Sequence, residues 1–233
     1  MTAVVLQARL DSSRLPGKVL LPLGGKPLIS RVMEALNQIT GNTEYEKTNK
    51  ILKIIACTED SYDSFKPLAK EAGFEIFAGP KDDVLDRFCQ VIKKYSIERV
   101  IRATGDNPFV FADAADALNN EAVLHNADYA GFLELPYGAG VESIRACALL
   151  RAFNEALLPP EREHVCPYLY NHLEIFKLHR PFAPASWRYP QMRVTIDTQE
   201  DYENALKLYD VLKDSPFRFN GETIINAYNK VFK

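Results

Sequence analysis

The sequence predicts a mostly parallel, three-layer α/β sheet, and three observations carry that prediction. Residues 3–6 form a short, β-branched, apolar run of the kind that fills a strand buried on both faces, with Pro16 and Gly17 turning the chain soon afterwards. Between residues 51 and 131, short apolar runs alternate with stretches of helical spacing, the pattern of strands joined by crossover helices. Charged-to-apolar balance is that of an ordinary globular chain: 233 residues, 47% hydrophobic, 25% charged. A chain of this length buries a sizeable core as one domain, or as one domain with an appended lobe.

After the first strand, residues 7–18 place Arg9, Arg14 and Lys18 among small turn residues. A loop leaving the carboxyl end of a central strand is where open α/β sheets bind ligands, and three cations with free backbone N–H groups suit a triphosphate. A solvated basic loop is the other reading. Residues 19–23 are a short apolar piece. Gly24, Gly25, Lys26 and Pro27 then put proline at the first position of a helix running to about Ile39. Residues 41–49 are polar and read as a surface excursion before a strand at 51–56. Residues 61–72 are helical, with Phe65, Leu68, Ala69 and Ala72 on one face and Gly73 as the stop. Residues 75–78 give the next strand.

Gly79 and Pro80 break the chain, and Asp82 or Asp83 caps a helix whose apolar face is Val84, Leu85, Phe88, Val91, Ile92 and Tyr95. Residues 99–103 are a strand ending on the turn Thr104-Gly105-Asp106-Asn107-Pro108. A helix at 112–125 and a strand at 127–131 follow. The pattern changes after Phe132: a turn at 135–140, a strand at 141–144, a helix at 148–157, and a break at Pro159-Pro160. A helix from about Glu161 toward His172 comes next, then two strand-like pieces at 176–180 and 192–196. Residues 199–212 and 221–232 are mostly helical.

Asp106 and Asp197 each stand at or just after the end of an apolar run, so a parallel sheet would bring both to the rim that carries the basic loop. Two carboxylates beside three cations is the donor set that holds Mg²⁺ next to a phosphate under attack. Asp106 as a turn residue bonding its own backbone, and Asp197 as a helix cap, are the alternatives. For Asp197 the second is weakened because Thr198 through Asp201 already make a capping box one position later. A net charge of −3 disfavours bulk nucleic-acid binding, and no run approaches the roughly 20 apolar residues of a membrane span. With no signal-peptide pattern, a cytoplasmic location is expected. Cys57, Cys89, Cys147 and Cys166 are scattered without a CxxC pair, which points to reduced thiols rather than a zinc ribbon or disulfides.

The runs QARLDSSRLPGKVLLPLGGKPL, DDVLDRF, ATGDNPFV, PPEREHVCPYLY and VTIDTQEDYENA occur in that order. Together they resemble the cytidylyltransferases of the spore coat polysaccharide biosynthesis protein F family and, more distantly, the CMP-KDO and CMP-sialic acid synthetases. A Walker A loop is excluded, since Gly17-Lys18 is followed by Val19 and the upstream glycine is missing. The resemblance implies a Rossmann-like nucleotidyltransferase fold with a small additional β lobe, using CTP and Mg²⁺, releasing pyrophosphate and leaving a CMP-activated sugar or sugar acid. It implies that Arg9, Arg14 and Lys18 hold the triphosphate, that Asp106 and Asp197 hold the metal, and that Ala8 and Arg9 approach the base.

Asp83, Asp86 and Arg87 lie where relatives pass the base and ribose, though capping and an intrahelical ion pair account for them equally well. Arg162, Glu163 and His164 resemble a family REHV run that faces the acceptor; a solvated helix turn is the other reading. Glu142 is a candidate for sugar hydroxyls. Phe182, Trp187 and Tyr189 read as a packing or oligomer surface rather than a ligand cage. Relatives are commonly homodimers whose sugar site is completed by a second-lobe hairpin, which places a sugar-binding and dimerisation lobe around 132–190 with 135–144 as its hairpin. Ala130-Gly131-Phe132 and the 137–140 loop depart from the family pattern and leave the acceptor open. Another NTP, a glycosyltransferase of related fold, and a non-catalytic nucleotide-binding module are the competing functions.

Overall fold

The computed structural model describes residues 1–42 and 51–233. The first strand, β1 (Thr2–Ala8), has Ala3, Val4, Val5 and Leu6 fully buried. Its alternate side chains enter two separate cores, Val4 and Leu6 on one face and Ala3 and Val5 on the other. That two-sided burial makes the molecule three-layered.

A two-stranded antiparallel ribbon, β2 (Pro22–Leu23) with β3 (Lys26–Pro27), precedes α1 (Leu28–Leu36). Pro27 stands one position before the helix rather than inside it, because Lys26 and Pro27 are held as ribbon. The chain then runs through β4 (Leu52–Thr58), α2 (Tyr62–Ala72), β5 (Glu75–Gly79), α3 (Val84–Tyr95), β6 (Arg99–Thr104), α4 (Ala112–Leu124) and β7 (Tyr129–Ala130). After them come β8 (Glu142–Arg145), α5 (Ala146–Glu155), α6 (Pro159–Glu163), α7 (Pro167–Asn171), β9 (Leu178–His179), α8 (Gln199–Leu212) and α9 (Gly221–Phe232). The expected excursion at 41–49 lies, from residue 43 on, outside the described residues.

Among the described residues, seven strands form the central sheet in the order β5-β4-β1-β6-β8-β7-β9. The first four are parallel to one another, β8 is antiparallel to both its neighbours, and β7 pairs parallel with β9. The sheet is thus mostly parallel, as the alternation of elements predicts, with β1 in its interior between β4 and β6.

Three expectations change in the second half. Residues 192–196 are extended but belong to no ladder: Tyr137 donates to the Met192 carbonyl, Val194 donates back to Tyr137, and Ile196 donates to the Asp106 carbonyl. Met192, Val194 and Ile196 are buried while Arg193 is exposed. The strand-like stretch is extended backbone, whose hydrogen-bonding groups loop partners satisfy as well as a neighbouring strand does. The helix expected at 161–172 is two short ones. Pro159-Pro160 opens α6 at positions where a missing N–H costs nothing, and Val165 at φ 70 with Pro167 after it separates α6 from α7. The strand expected at 176–180 contracts to the two-residue edge β9.

Candidate active site

The parallel half of the sheet sends the carboxyl ends of β1 and β6 to the same rim, stitched by the Gly105 N–H donating 2.8 Å to the Gln7 carbonyl. A Cβ on Gly105 would sit 3.2 Å from the Ala8 Cβ, so the two turns approach as closely as a glycine permits. From β1 the loop 9–17 arches over this rim. Gly17 ends it in the left-handed conformation, φ 65, and the backbone then aims Lys18 inward. Lys18 Nζ donates to Asp106 Oδ2 at 2.9 Å, to Asp197 Oδ1 at 2.8 Å and to the Ile196 carbonyl at 2.8 Å. Residues 18, 106 and 197, remote in the chain, meet at one ammonium.

Around that point lies an open cleft of about 220 Å³, lined by the 7–9 and 11–14 segments, Lys18, Val84, Arg87, the 104–106 turn, Glu163, His164 and Asp197. Arg14, an exposed side chain, reaches Asp197 Oδ1 at 2.9 Å. Arg9 lines the cleft with no ion-pair partner within 4 Å among the described residues. Arg87 also lines it, 1% exposed, its guanidinium held by the backbone carbonyls of Pro80, Lys81 and Ala56 rather than by a carboxylate. Burial pulls its pKa below the usual arginine value. A buried guanidinium compensated only by carbonyl dipoles leaves positive potential at the cleft wall.

Asp197 carries three cations, because Arg193 Nη2 donates to its Oδ2 at 2.9 Å. Burial alone would raise this carboxyl, but Lys18, Arg14 and Arg193 together hold it below the usual carboxylate range. Arg193 is itself gripped by Asp201, whose Oδ2 also accepts the backbone N–H groups of Asp197 and Thr198. The capping box of Thr198 and Asp201 is formed as the sequence predicts, so α8 takes its cap without Asp197. Arg193 is the residue that sequence reasoning missed: no motif marks a cation four positions before an aspartate in an extended segment. Thr104 was equally silent; its hydroxyl donates 2.7 Å to Asp106 Oδ1.

Of the other candidates, Ala8 and His164 line the cleft. Asp83 and Arg162 do not; they pair with each other. Asp83 caps α3 by accepting the Asp86 N–H at 2.9 Å, and its other oxygen receives Arg162 Nε at 2.7 Å. Arg162 Nη2 donates to the same Asp83 oxygen, and its Nη1 donates to the Phe153 and Ala156 carbonyls. Asp86 accepts from Gln90 one turn along the helix. Glu142 lies behind the rim in a closed cluster: Tyr129 and Tyr170 hydroxyls donate to Oε1 at 2.8 and 3.0 Å, and Arg102 pairs with Oε2. Burial opposes its charge, yet Arg102 and the two hydroxyls keep Glu142 below the usual carboxylate range. Its oxygens are thereby committed within the protein.

The donor set at the centre of the cleft is hard oxygen: two carboxylates converging on one cationic point, with a backbone carbonyl beside them. Such oxygens suit Mg²⁺, whereas the neighbouring cations suit phosphate. The cytidylyltransferase family profile matches residues 3–228 of this chain. The chain belongs to the cytidylyltransferase family. It is 35% identical over 213 residues to the spore coat polysaccharide biosynthesis protein SpsF of Bacillus subtilis, covering 91% of this chain and 88% of that protein. A cytidylyltransferase from Leptospira borgpetersenii serovar Hardjo-bovis superposes with a TM-score of 0.85 at 25% identity, covering 98% of this chain and 94% of that one. CMP:2-keto-3-deoxy-manno-octonic acid synthetase, solved with CTP, shares the fold at a TM-score of 0.66 and 16% identity, covering 90% and 98%. As a member of this family the chain is a nucleotidyltransferase. Among the described residues no helix is long and apolar enough to cross a membrane.

Proposed function

We propose that this enzyme transfers the CMP group of CTP to a hydroxyl of a sugar or sugar acid, releasing pyrophosphate, in the biosynthesis of a surface polysaccharide. The observation that carries the reading is the single ammonium of Lys18 held between Asp106 and Asp197 beneath a loop of cations. A triphosphate laid along that loop meets Arg9, Arg14 and Lys18 as charge-assisted donors, and Arg87 adds positive potential from the wall. When Lys18 and Arg14 turn to phosphate oxygens, the Asp106 and Asp197 oxygens they now occupy are released. Those two carboxylates would hold Mg²⁺, which in such a site neutralises charge on the transferring phosphate and its leaving group. Arg193 and Asp201 keep Asp197 oriented while its inner oxygen changes partner. Ala8 and Arg9 are placed to meet the base.

His164 and Glu163, which face the cleft from the α6 end, are the acceptor-side candidates, whereas Asp83, Arg162 and Glu142 act through the framework. The stretch 132–190 is proposed as an acceptor-binding and homodimerisation lobe, and the protein as cytoplasmic. Support comes from family membership, from the name of the Bacillus subtilis relative, and from the CTP complex of the synthetase that shares the fold.

The test is pyrophosphate release from each of CTP, UTP, ATP and GTP with Mg²⁺, over a panel of sugars and sugar acids, together with calorimetric binding of the same nucleotides. CTP-selective binding, weakened in Arg14→Ala, and acceptor-dependent pyrophosphate release are expected. Selective binding of another NTP, or binding of a sugar nucleotide without pyrophosphate release, would overturn the reading.

A further inference from the structure

At the far edge of the sheet, three side chains with no part in the cleft point their ligand atoms at one another. Glu121 lies in the last turn of α4, His125 caps its end one turn later, and His179 lies on the edge strand β9. Their donor atoms all fall within 4.8 Å of one another. Glu121 Oε2 is 3.0 Å from His179 Nε2 and 3.3 Å from His125 Nε2. The two imidazoles stack with centroids 4.0 Å apart and planes 19° from parallel, so both rings address the same carboxylate oxygen.

In a tetrahedral zinc site with ligand bonds of about 2.0–2.1 Å, neighbouring ligand atoms are about 3.3 Å apart. Both nitrogen-to-oxygen distances here are already close to that edge length. Two imidazoles and one carboxylate form a borderline donor set that suits Zn²⁺, Co²⁺ or Ni²⁺ rather than Mg²⁺. The geometry points to a second, transition-metal site made by Glu121, His125 and His179, separate from the nucleotide cleft. Near-parallel rings send their lone pairs side by side, so binding requires one imidazole to turn. His125, whose side chain is 47% exposed, is free to do so, while His179, at 20%, is the fixed partner. Three protein ligands on this solvent-facing corner leave further coordination positions to water.

The site lies well away from the cleft. The 13 residues of α4 begin just after the Asp106 turn and run about 20 Å to the helix end where His125 sits. An ion there ties the two-residue edge strand β9 to α4, across a sequence separation of 58 between His179 and Glu121. Anything that binds only the folded chain raises its melting temperature.

The experiment is calorimetric titration of chelator-stripped, nucleotide-free protein with ZnCl₂, with and without excess Mg²⁺ to fill the cleft carboxylates, alongside thermal melting. One Zn²⁺ equivalent that survives excess Mg²⁺, raises Tm, and weakens at least tenfold in His125→Ala, His179→Ala and Glu121→Gln is the expected result. His125→Ala changes an exposed side chain at a helix end, so its fold is secure even where β9 is disturbed by the His179 change. Unchanged Zn²⁺ affinity and Tm shift in His125→Ala would overturn the proposal. So would the absence of a Mg²⁺-resistant equivalent in the wild-type protein, which would leave the cluster a surface hydrogen-bond network only.

Discussion

In the cleft, Asp106 and Asp197 share one lysine with an arginine leaning in from solvent; on the strands beside it, Glu142 meets Arg102 under two tyrosine hydroxyls. Both are carboxylates paired with cations, and they differ in what can leave. The Arg14 side chain is 63% exposed, whereas Arg102 and Glu142 are 15% and 18% exposed. Tyr129 and Tyr170 are themselves pushed far above the usual phenol range, by burial first and by the adjacent Glu142 charge. In the first cluster a ligand phosphate can replace a carboxylate as the cation's partner; in the second the Glu142 oxygens are taken up by Tyr129, Tyr170 and Arg102, away from the cleft lining. Gln7 links the two, lining the cleft and accepting from Arg102 Nη2 at 2.8 Å. The same residue types therefore serve exchange in one place and framework in the other; Lys18 and Asp197 are as buried as Arg102 and Glu142, and what sets them apart is that they line the open cleft beside the exposed Arg14.

That contrast can be broken by mutation. The largest effect expected is on stability: Glu142→Ala leaves the mostly buried Arg102 guanidinium without its carboxylate, with Gln7 as its remaining partner, and we expect about 3–5 kcal/mol of destabilisation in urea unfolding. An unchanged urea midpoint would mean that Glu142 belongs with the exchangeable carboxylates after all. Asp106→Asn should divide the other way. Turnover, followed as pyrophosphate release, is expected to fall by roughly 10²–10³-fold, the loss typical of removing one preorganised charge-stabilising group, with the melting temperature little altered.

A smaller effect follows from acidity. Asp201 is held down to about 2; burial opposes this, and its Arg193 and backbone N–H partners outweigh it. Asp197 is lowered in the same direction. Depressed carboxylates contribute stability that is complete above their unfolded pKa, about 4, and is lost as pH falls through the folded value. Urea midpoints of the wild type should therefore drop between roughly pH 4 and pH 2, and Asp201→Asn should flatten that decline. A decline of equal steepness in the variant would count against the Arg193–Asp201 grip. The mildest change expected is Arg14→Ala: stability shifts by about 1 kcal/mol or less, as for exposed ion pairs, while CTP binding weakens and loses part of its salt dependence. Calorimetry at two ionic strengths measures it.

Much of this arrangement was legible in the residues. Apolar runs and stop signals place β1, β4, β5, β6, α2, α3, α8 and α9, because each has a local cause: Gly73 and Asp83 end or begin their helices with their own backbone chemistry. For Asp106 the arrival beside the basic loop followed from the rule that parallel strands point one way, whereas Asp197 reaches the same rim from an extended segment outside the sheet, tied to it by the Ile196 N–H on the Asp106 carbonyl. What stayed hidden depends on who sits opposite whom. Nothing in residues 192–196 says that their partners are Tyr137 and Asp106 rather than a strand. Asp83 and Arg162, singled out separately for ligands, turn out to satisfy each other across 79 residues of sequence. Arg193 is invisible for the same reason, its partners being fixed by the path of a loop.

The meeting of Lys18 with Asp197 also sets a clock. These partners are 179 positions apart, and Asp106 reaches Lys18 across 88. At about 5–20 residues per second of synthesis, roughly 10–40 s pass between the making of the lysine and of its last partner. Through that interval the growing chain carries its cations without the second carboxylate, and the cleft is completed only as the last helices are made.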